Sequence, residues 1–260
     1  MLARAFAGQV DGFYIDVGVC DPDLDSVTKY FYDFGWSGIN IEPLDANFDR
    51  ISEARPRDIN VCAAAGQQAG VMDFYEVVGT GLSTSDAAHA VRHGKVGYGV
   101  KSLKVQMTTL ASICEQHVGD RVIDFLKVDV EGAEGAVVAG ANWRRWRPRI
   151  VLLEATLPQS KTLAPLDWDP SLRESGYDFV YFDGLNRWYV REEEPALRDA
   201  FASPPNVFDN FILYRELKRA QELKDQITAL EQRLSSAMIK ADRWDALRQS
   251  LLGKLVTRLK

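Results

Sequence analysis

The sequence predicts an α/β fold: a doubly wound, mostly parallel sheet followed by one long helix. Three observations lead to it. First, Gly12-Phe13-Tyr14-Ile15-Asp16-Val17-Gly18-Val19-Cys20-Asp21-Pro22 reads as a buried strand entering a tight, acidic, glycine-bearing turn. Second, apolar strands that end on a carboxylate recur at Ser37–Glu42, Asp124–Asp129 and Arg149–Glu154, with helical spacing between them. Third, nothing after Tyr214 has strand character, and the apolar residues there step by four and three.

In chain order, Ser26 to Phe34 has helical spacing, with Ser26 placed to cap its start. Leu44 to Ala54 is a second helix, stopping before Arg55-Pro56. Ile59 to Ala65 reads as a third strand, and Val71 to Val77 alternates in strand fashion. Gly79 to Gly99 carries glycines, Ser83, Thr84, Ser85, His89 and His93, and reads as a long loop of the kind that covers a site. Val105 to Leu110 restores order, followed by a helix over Ala111 to His117 and, after the run Val130 to Glu134, another that ends at about Ala139. Tyr177–Asp183 and Asp209–Tyr214 complete the strands. The domain organisation is 1–214 for the α/β unit and 215–260 for the helix, whose seam runs Leu223, Ile227, Leu230, Leu234, Ala237, Ala241, Trp244. A seam of this length needs a partner: a second copy or another protein in a coiled coil, or the chain's own domain. The final Leu251 to Lys260 is apolar and basic, which suits a weak membrane-surface contact.

Composition narrows the function. A formal net charge of -6 over 260 residues argues against broad nucleic-acid binding. Cys20, Cys62 and Cys114 lie far apart without a CxxC pair, which is neither a disulfide framework nor a zinc site and fits a reducing cytoplasm. Gly8, Gln9 and Asp11 interrupt any leader-like apolar run, and no stretch approaches the ~20 apolar residues of a membrane span. The expected location is cytoplasmic.

A doubly wound sheet binds its ligand across the carboxyl ends of its strands. A dinucleotide site wants GxGxxG, whereas this turn has one glycine and sits among Asp16, Asp21, Asp23 and Asp25, which oppose a pyrophosphate. A phosphate loop, GxxxxGK[ST], is also missing from the sequence. S-adenosylmethionine differs, because its sulfonium and ammonium suit an acidic turn. The helix start near Ser26 offers N–H groups to its carboxylate, and Glu42 offers acceptors to its ribose.

The runs Phe34-Gly35-Trp36-Ser37-Gly38-Ile39-Asn40-Ile41-Glu42-Pro43 and Phe125-Leu126-Lys127-Val128-Asp129-Val130-Glu131-Gly132-Ala133-Glu134, with Gly12, Asp16, Gly18 and Asn206-Val207-Phe208-Asp209-Asn210, resemble the FkbM family of class I methyltransferases. The resemblance covers about Gly8 to Tyr214. It implies a seven-stranded class I methyltransferase (Rossmann-like) sheet and S-adenosylmethionine-dependent O-methylation, often of sugar hydroxyls in polysaccharides, glycolipids or natural products. It places Asp16 and Gly18 in the donor loop, Glu42 on the ribose, and Cys62 and Ala63 beside the adenine. The turn departs from the family pattern at Val19-Cys20-Asp21-Pro22.

Methyl transfer to a hydroxyl needs alignment and a route for the proton. Asp129 is either a general base or, with Glu131 and Glu154, an oxygen ligand of Mg²⁺; Glu131 and Glu134 can instead cap the next helix. His93 and His89 are the other base candidates. Trp143, Trp146, Trp168 and Trp188 are candidates for a sugar-stacking platform. Two other functions remain open: a tethering protein that works through its coiled coil on a vestigial methyltransferase fold, and a dehydrogenase, disfavoured by the single-glycine turn.

Overall fold

The computed structural model describes the backbone of residues 1–209 and 214–258. The chain divides into two units, Met1–Asp209 and Asn210–Lys260. The strands are β1 (Phe13–Val17), β2 (Ser37–Ile41), β3 (Ile59–Val61), β4 (Ala64–Ala65), β5 (Gly70–Val77), β6 (Val100–Thr108), β7 (Phe125–Val128), β8 (Ile150–Glu154), β9 (Tyr177–Phe182) and β10 (Asn186–Arg191). The helices are α1 (Leu2–Ala5), α2 (Lys29–Asp33), α3 (Asp45–Ala54), α4 (Ala87–Lys95), α5 (Leu110–His117), α6 (Glu134–Ala139), α7 (Asp169–Glu174) and α8 (Tyr214–Arg258).

Seven strands form the main sheet in the order β3-β2-β1-β7-β8-β10-β9. The pairs from β3 through β8 are parallel, and β10 runs antiparallel between β8 and β9. The central strands are buried on both faces, so they read as continuous apolar runs. In register, Tyr14, Phe125 and Ile150 align on one face, where they meet Phe6, Phe31 and Trp36. Ile15, Leu126 and Val151 align on the other face and pack with Ile113, Val137 and Leu172. Alternation then places Asp16 directly beside Lys127, on the aromatic face.

Several expected elements are corrected. The Ile59–Ala65 strand breaks at Cys62: β3 stays in the main sheet, while β4 joins a second, three-stranded sheet ordered β4-β6-β5. β5 and β6 form an antiparallel pair, with β6 starting five residues before the expected strand. The 79–99 loop is folded, not open: it contains α4, capped by the Asp86 carboxylate, which accepts from the N–H groups of Ala88 and His89. The first helix is only α2, and its N-cap is Thr28, not Ser26. Ser26 Oγ instead accepts the Lys29 N–H at 3.2 Å.

The seventh strand is β10. The expected strand Asp209–Tyr214 falls mostly on residues outside the described ones, and the described Asp209 closes a 3-10 turn. Trp143, Trp168 and Trp188 are core residues, and Trp146 packs against the same core, so the tryptophans build no open platform. α8 is one 45-residue helix, as its pattern predicts. The side chains of Leu251 to Lys260, the expected membrane contact, lie outside the described residues. No helix among the described residues is long and apolar enough to cross a membrane.

Candidate active site

A cleft lined mostly by apolar residues opens at the carboxyl ends of β1, β2 and β7. Val17, Gly18 and Cys20 form one lip, Ile41, Glu42 and Pro43 the floor, and Asp129, Val130 and Glu131 the other lip. Ala63–Gly66, Met72, Phe74 and Met107, carried by the three-stranded sheet and its approach, add an apolar wall. The second sheet is therefore part of the site, which strand-by-strand sequence reading does not reveal.

The two lips touch. Gly18 has φ +83, and a Cβ there would lie 1.8 Å from the Asp129 carbonyl oxygen. Only glycine fits that turn. Beneath it, buried Lys127 spans 3.2 Å to Asp16 and 3.5 Å to Asp129 and donates to the Gly18 carbonyl at 3.0 Å. Burial alone would push the Lys127 pKa down, but Asp16 and Asp129 outweigh it and hold the ammonium charged. Asp16 also accepts from Thr28 Oγ1 at 2.7 Å, and Thr28 Oγ1 accepts from the fully buried Arg55 at 2.6 Å. Asp16 thus lies under the turn and does not line the cleft. Arg55 also donates to Ser26 Oγ at 2.6 Å and to the Pro22 carbonyl, so Ser26 belongs to this support as well.

Glu42 is buried and faces the cleft. Its Oε1 accepts from the Leu44 N–H at 3.0 Å and Asn47 Nδ2 at 3.2 Å, and its Oε2 accepts from the Cys20 N–H at 3.0 Å. Burial raises its pKa, and these donors oppose the rise. With two lone pairs per oxygen, Oε1 is filled and Oε2 keeps one acceptor position. Cys20 sits at φ +57, and burial together with Glu42 pushes its thiol up to about 11, leaving it protonated and unreactive. Ala63 lines the cleft, whereas Cys62 does not and donates to Asp45 at 3.2 Å.

At the second lip, one oxygen each from Asp129, Glu131 and Glu154 lies within 4.8 Å of the others. Glu131 adopts φ +54, a conformation that costs a non-glycine residue energy. Its peptide is pinned from above: the Glu131 carbonyl accepts from buried Thr84 Oγ1 at 2.9 Å and lies 3.4 Å from His89 Nδ1. Glu134 caps the turn, accepting from the N–H groups of Val130 at 3.2 Å and Gly132 at 3.1 Å. Glu131 makes no such bond; its Oε2 is buried without a hydrogen-bond partner. Burial, then Asp129 and Glu134, pushes the Glu131 carboxyl up to about 8. Glu154 moves in the same direction, from burial and from its acidic neighbours. Glu131 and Glu154 therefore hold protons at neutral pH.

Of the histidines, His89 reaches this lip. His93 is buried one helical turn further on and is not among the residues lining the cleft; its burial pushes its pKa down. Asn47, Lys127, Arg55, Met72 and Phe74 were not singled out in the sequence as site residues. Only Lys127 left a signal, a lone cation inside the apolar run Phe-Leu-Lys-Val.

A doubly wound sheet with an antiparallel strand next to its edge, and a cleft over the first βα turn, put a ligand site at the carboxyl ends of the strands. Residues 16–179 match the methyltransferase FkbM domain, more than half of the chain. The protein belongs to the FkbM methyltransferase family. No curated protein matches the chain.

Proposed function

We propose that the protein transfers a methyl group from S-adenosylmethionine to a hydroxyl of a carbohydrate-type acceptor. The observation that carries this is the acidic cluster at the mouth of a mostly apolar cleft. The residues present suit the donor: Glu42 keeps one open acceptor position for a ribose hydroxyl, and Ala64, Met72 and Phe74 offer an apolar wall to a base. The donor supplies an electrophilic methyl group on a sulfonium centre. The chain must then hold the acceptor in line and take its proton. Asp129 and Glu131 line the cleft, and in this reading the Asp129 carboxylate accepts that proton. Lys127 keeps Asp129 oriented, and Thr84 and His89 hold the Glu131 backbone.

The buried, partnerless Oε2 of Glu131 favours a second arrangement, in which Asp129, Glu131 and Glu154 hold Mg²⁺. The ion would supply Lewis acidity toward the acceptor hydroxyl. Millimolar Mg²⁺ then raises the melting temperature of the wild type but not of Glu154→Gln.

Calorimetric titration with S-adenosylhomocysteine tests the donor site. Micromolar binding is expected. Glu42→Ala loses a charge-assisted hydrogen bond of about 1.5–3 kcal/mol, or roughly ten- to a hundredfold in affinity. A wild-type protein with no saturable binding would overturn the proposal and favour the tethering function.

A further inference from the structure

We propose that α8 pairs with α8 of a second copy of this chain as an antiparallel coiled coil centred between Ser235 and Ser236. Every described side chain from Glu216 to Arg248 is exposed, including Leu234 at 62% and Trp244 at 73%. Solvent exposure of so many large apolar groups along one helix is unfavourable, so the face requires a cover.

The seam itself selects the cover. Its steps assign Ile227, Leu234, Ala241 and Arg248 to one core position of the heptad and Leu223, Leu230, Ala237 and Trp244 to the other. A parallel pair aligned in register places each residue against its own copy. Arg248 would meet Arg248, and Ala237 and Ala241 would each meet alanine, leaving thin layers. Just outside the core, Arg219 would face Lys224.

An antiparallel pair joins one core position to the other. With the axis between Ser235 and Ser236, Leu234 packs on Ala237 of the second copy, Leu230 on Ala241, Ile227 on Trp244, and Leu223 on the stem of Arg248. Two of these four layers place a leucine against an alanine, so neither alanine faces its own copy. The interdigitated length is roughly 38 Å. Arg248 escapes its like charge, and its head reaches solvent at the end of the seam. Arg233 and Lys240 then approach at the solvated flank, where repulsion is screened. A slip of one heptad toward the N-terminus places Glu231 against Glu231 and Arg233 against Arg233 at the axis, which disfavours that register.

The experiment uses the full chain. Light scattering is expected to give twice the chain mass, and Leu234→Glu is expected to return it to one. Two single-cysteine additions, Leu230→Cys and Ala241→Cys, are then oxidised separately and as a mixture, with wild type reporting any background from Cys20, Cys62 and Cys114. The antiparallel pair predicts a disulfide-linked dimer in the mixture and none above background in either variant alone. Linkage of each variant to itself would show a parallel pair and overturn the proposal. A monomeric wild type would overturn it outright.

Discussion

At the scale of single residues, the site rests on charges removed from water. Asp16 is 1% exposed, and among the described residues its only cationic neighbour within ion-pair distance is Lys127. Lys127→Met therefore strands a buried carboxylate and is expected to cost about 3–5 kcal/mol, read from denaturant midpoints. The double variant Lys127→Met with Asp16→Asn should recover part of that loss; no recovery would mean that Lys127 acts through the Gly18 carbonyl alone. Glu131 makes a prediction about pH. Its folded pKa, about 8, lies above the roughly 4.3 of an unfolded glutamate. The folded state thus keeps a proton that the unfolded state releases, so this contribution is full below the unfolded value and fades as pH rises to about 8. Glu131→Gln should flatten the fall in melting temperature between pH 6 and pH 9 and be relatively more stable than wild type at the alkaline end. A parallel fall in both proteins would remove Glu131 as the cause.

At the scale of elements, the close approach of two turns sets the cleft. Gly18→Ala forces a side chain into left-handed backbone and against the Asp129 carbonyl. The strain is expected to cost about 1–3 kcal/mol in thermal unfolding and to weaken S-adenosylhomocysteine binding as the lips part. Unchanged binding with lowered stability would separate the turn from the donor. The central strands were legible because burial on both faces makes them continuous apolar runs. β10 was not legible: its apolar centre, Trp188-Tyr189-Val190, is three residues long and flanked by Arg187 and Arg191. The Asp183-Gly184 turn before it was the available signal, since a glycine-bearing turn joins tight hairpins. The long glycine-bearing segment 79–99 hid α4, because His89, Ala90 and His93 form a narrow buried stripe that glycines on both sides obscure.

At the scale of the whole molecule, the chain separates into a catalytic-type unit and a helical unit. A chain ending at Asp209 should bind S-adenosylhomocysteine with the affinity of the full protein and remain monomeric. Loss of binding in a folded truncated protein would tie the donor site to residues beyond Asp209. The change from strand-type to heptad patterning near Tyr214 is a change in the period of apolar residues, which the order of residues along the chain carries.

The sequence by itself determined the order of most elements, the family runs, Gly18, Glu42 and the carboxylates that end the strands, because those properties are local. The tertiary structure decided what the residues do. Strand register turned Asp16 away from the cleft and onto Lys127, and the second sheet brought Met72 and Phe74 to the wall. Packing carried Glu154, from a neighbouring strand, to Asp129 and Glu131. Those outcomes depend on distances between residues far apart in the chain, and spacing along one strand cannot encode them.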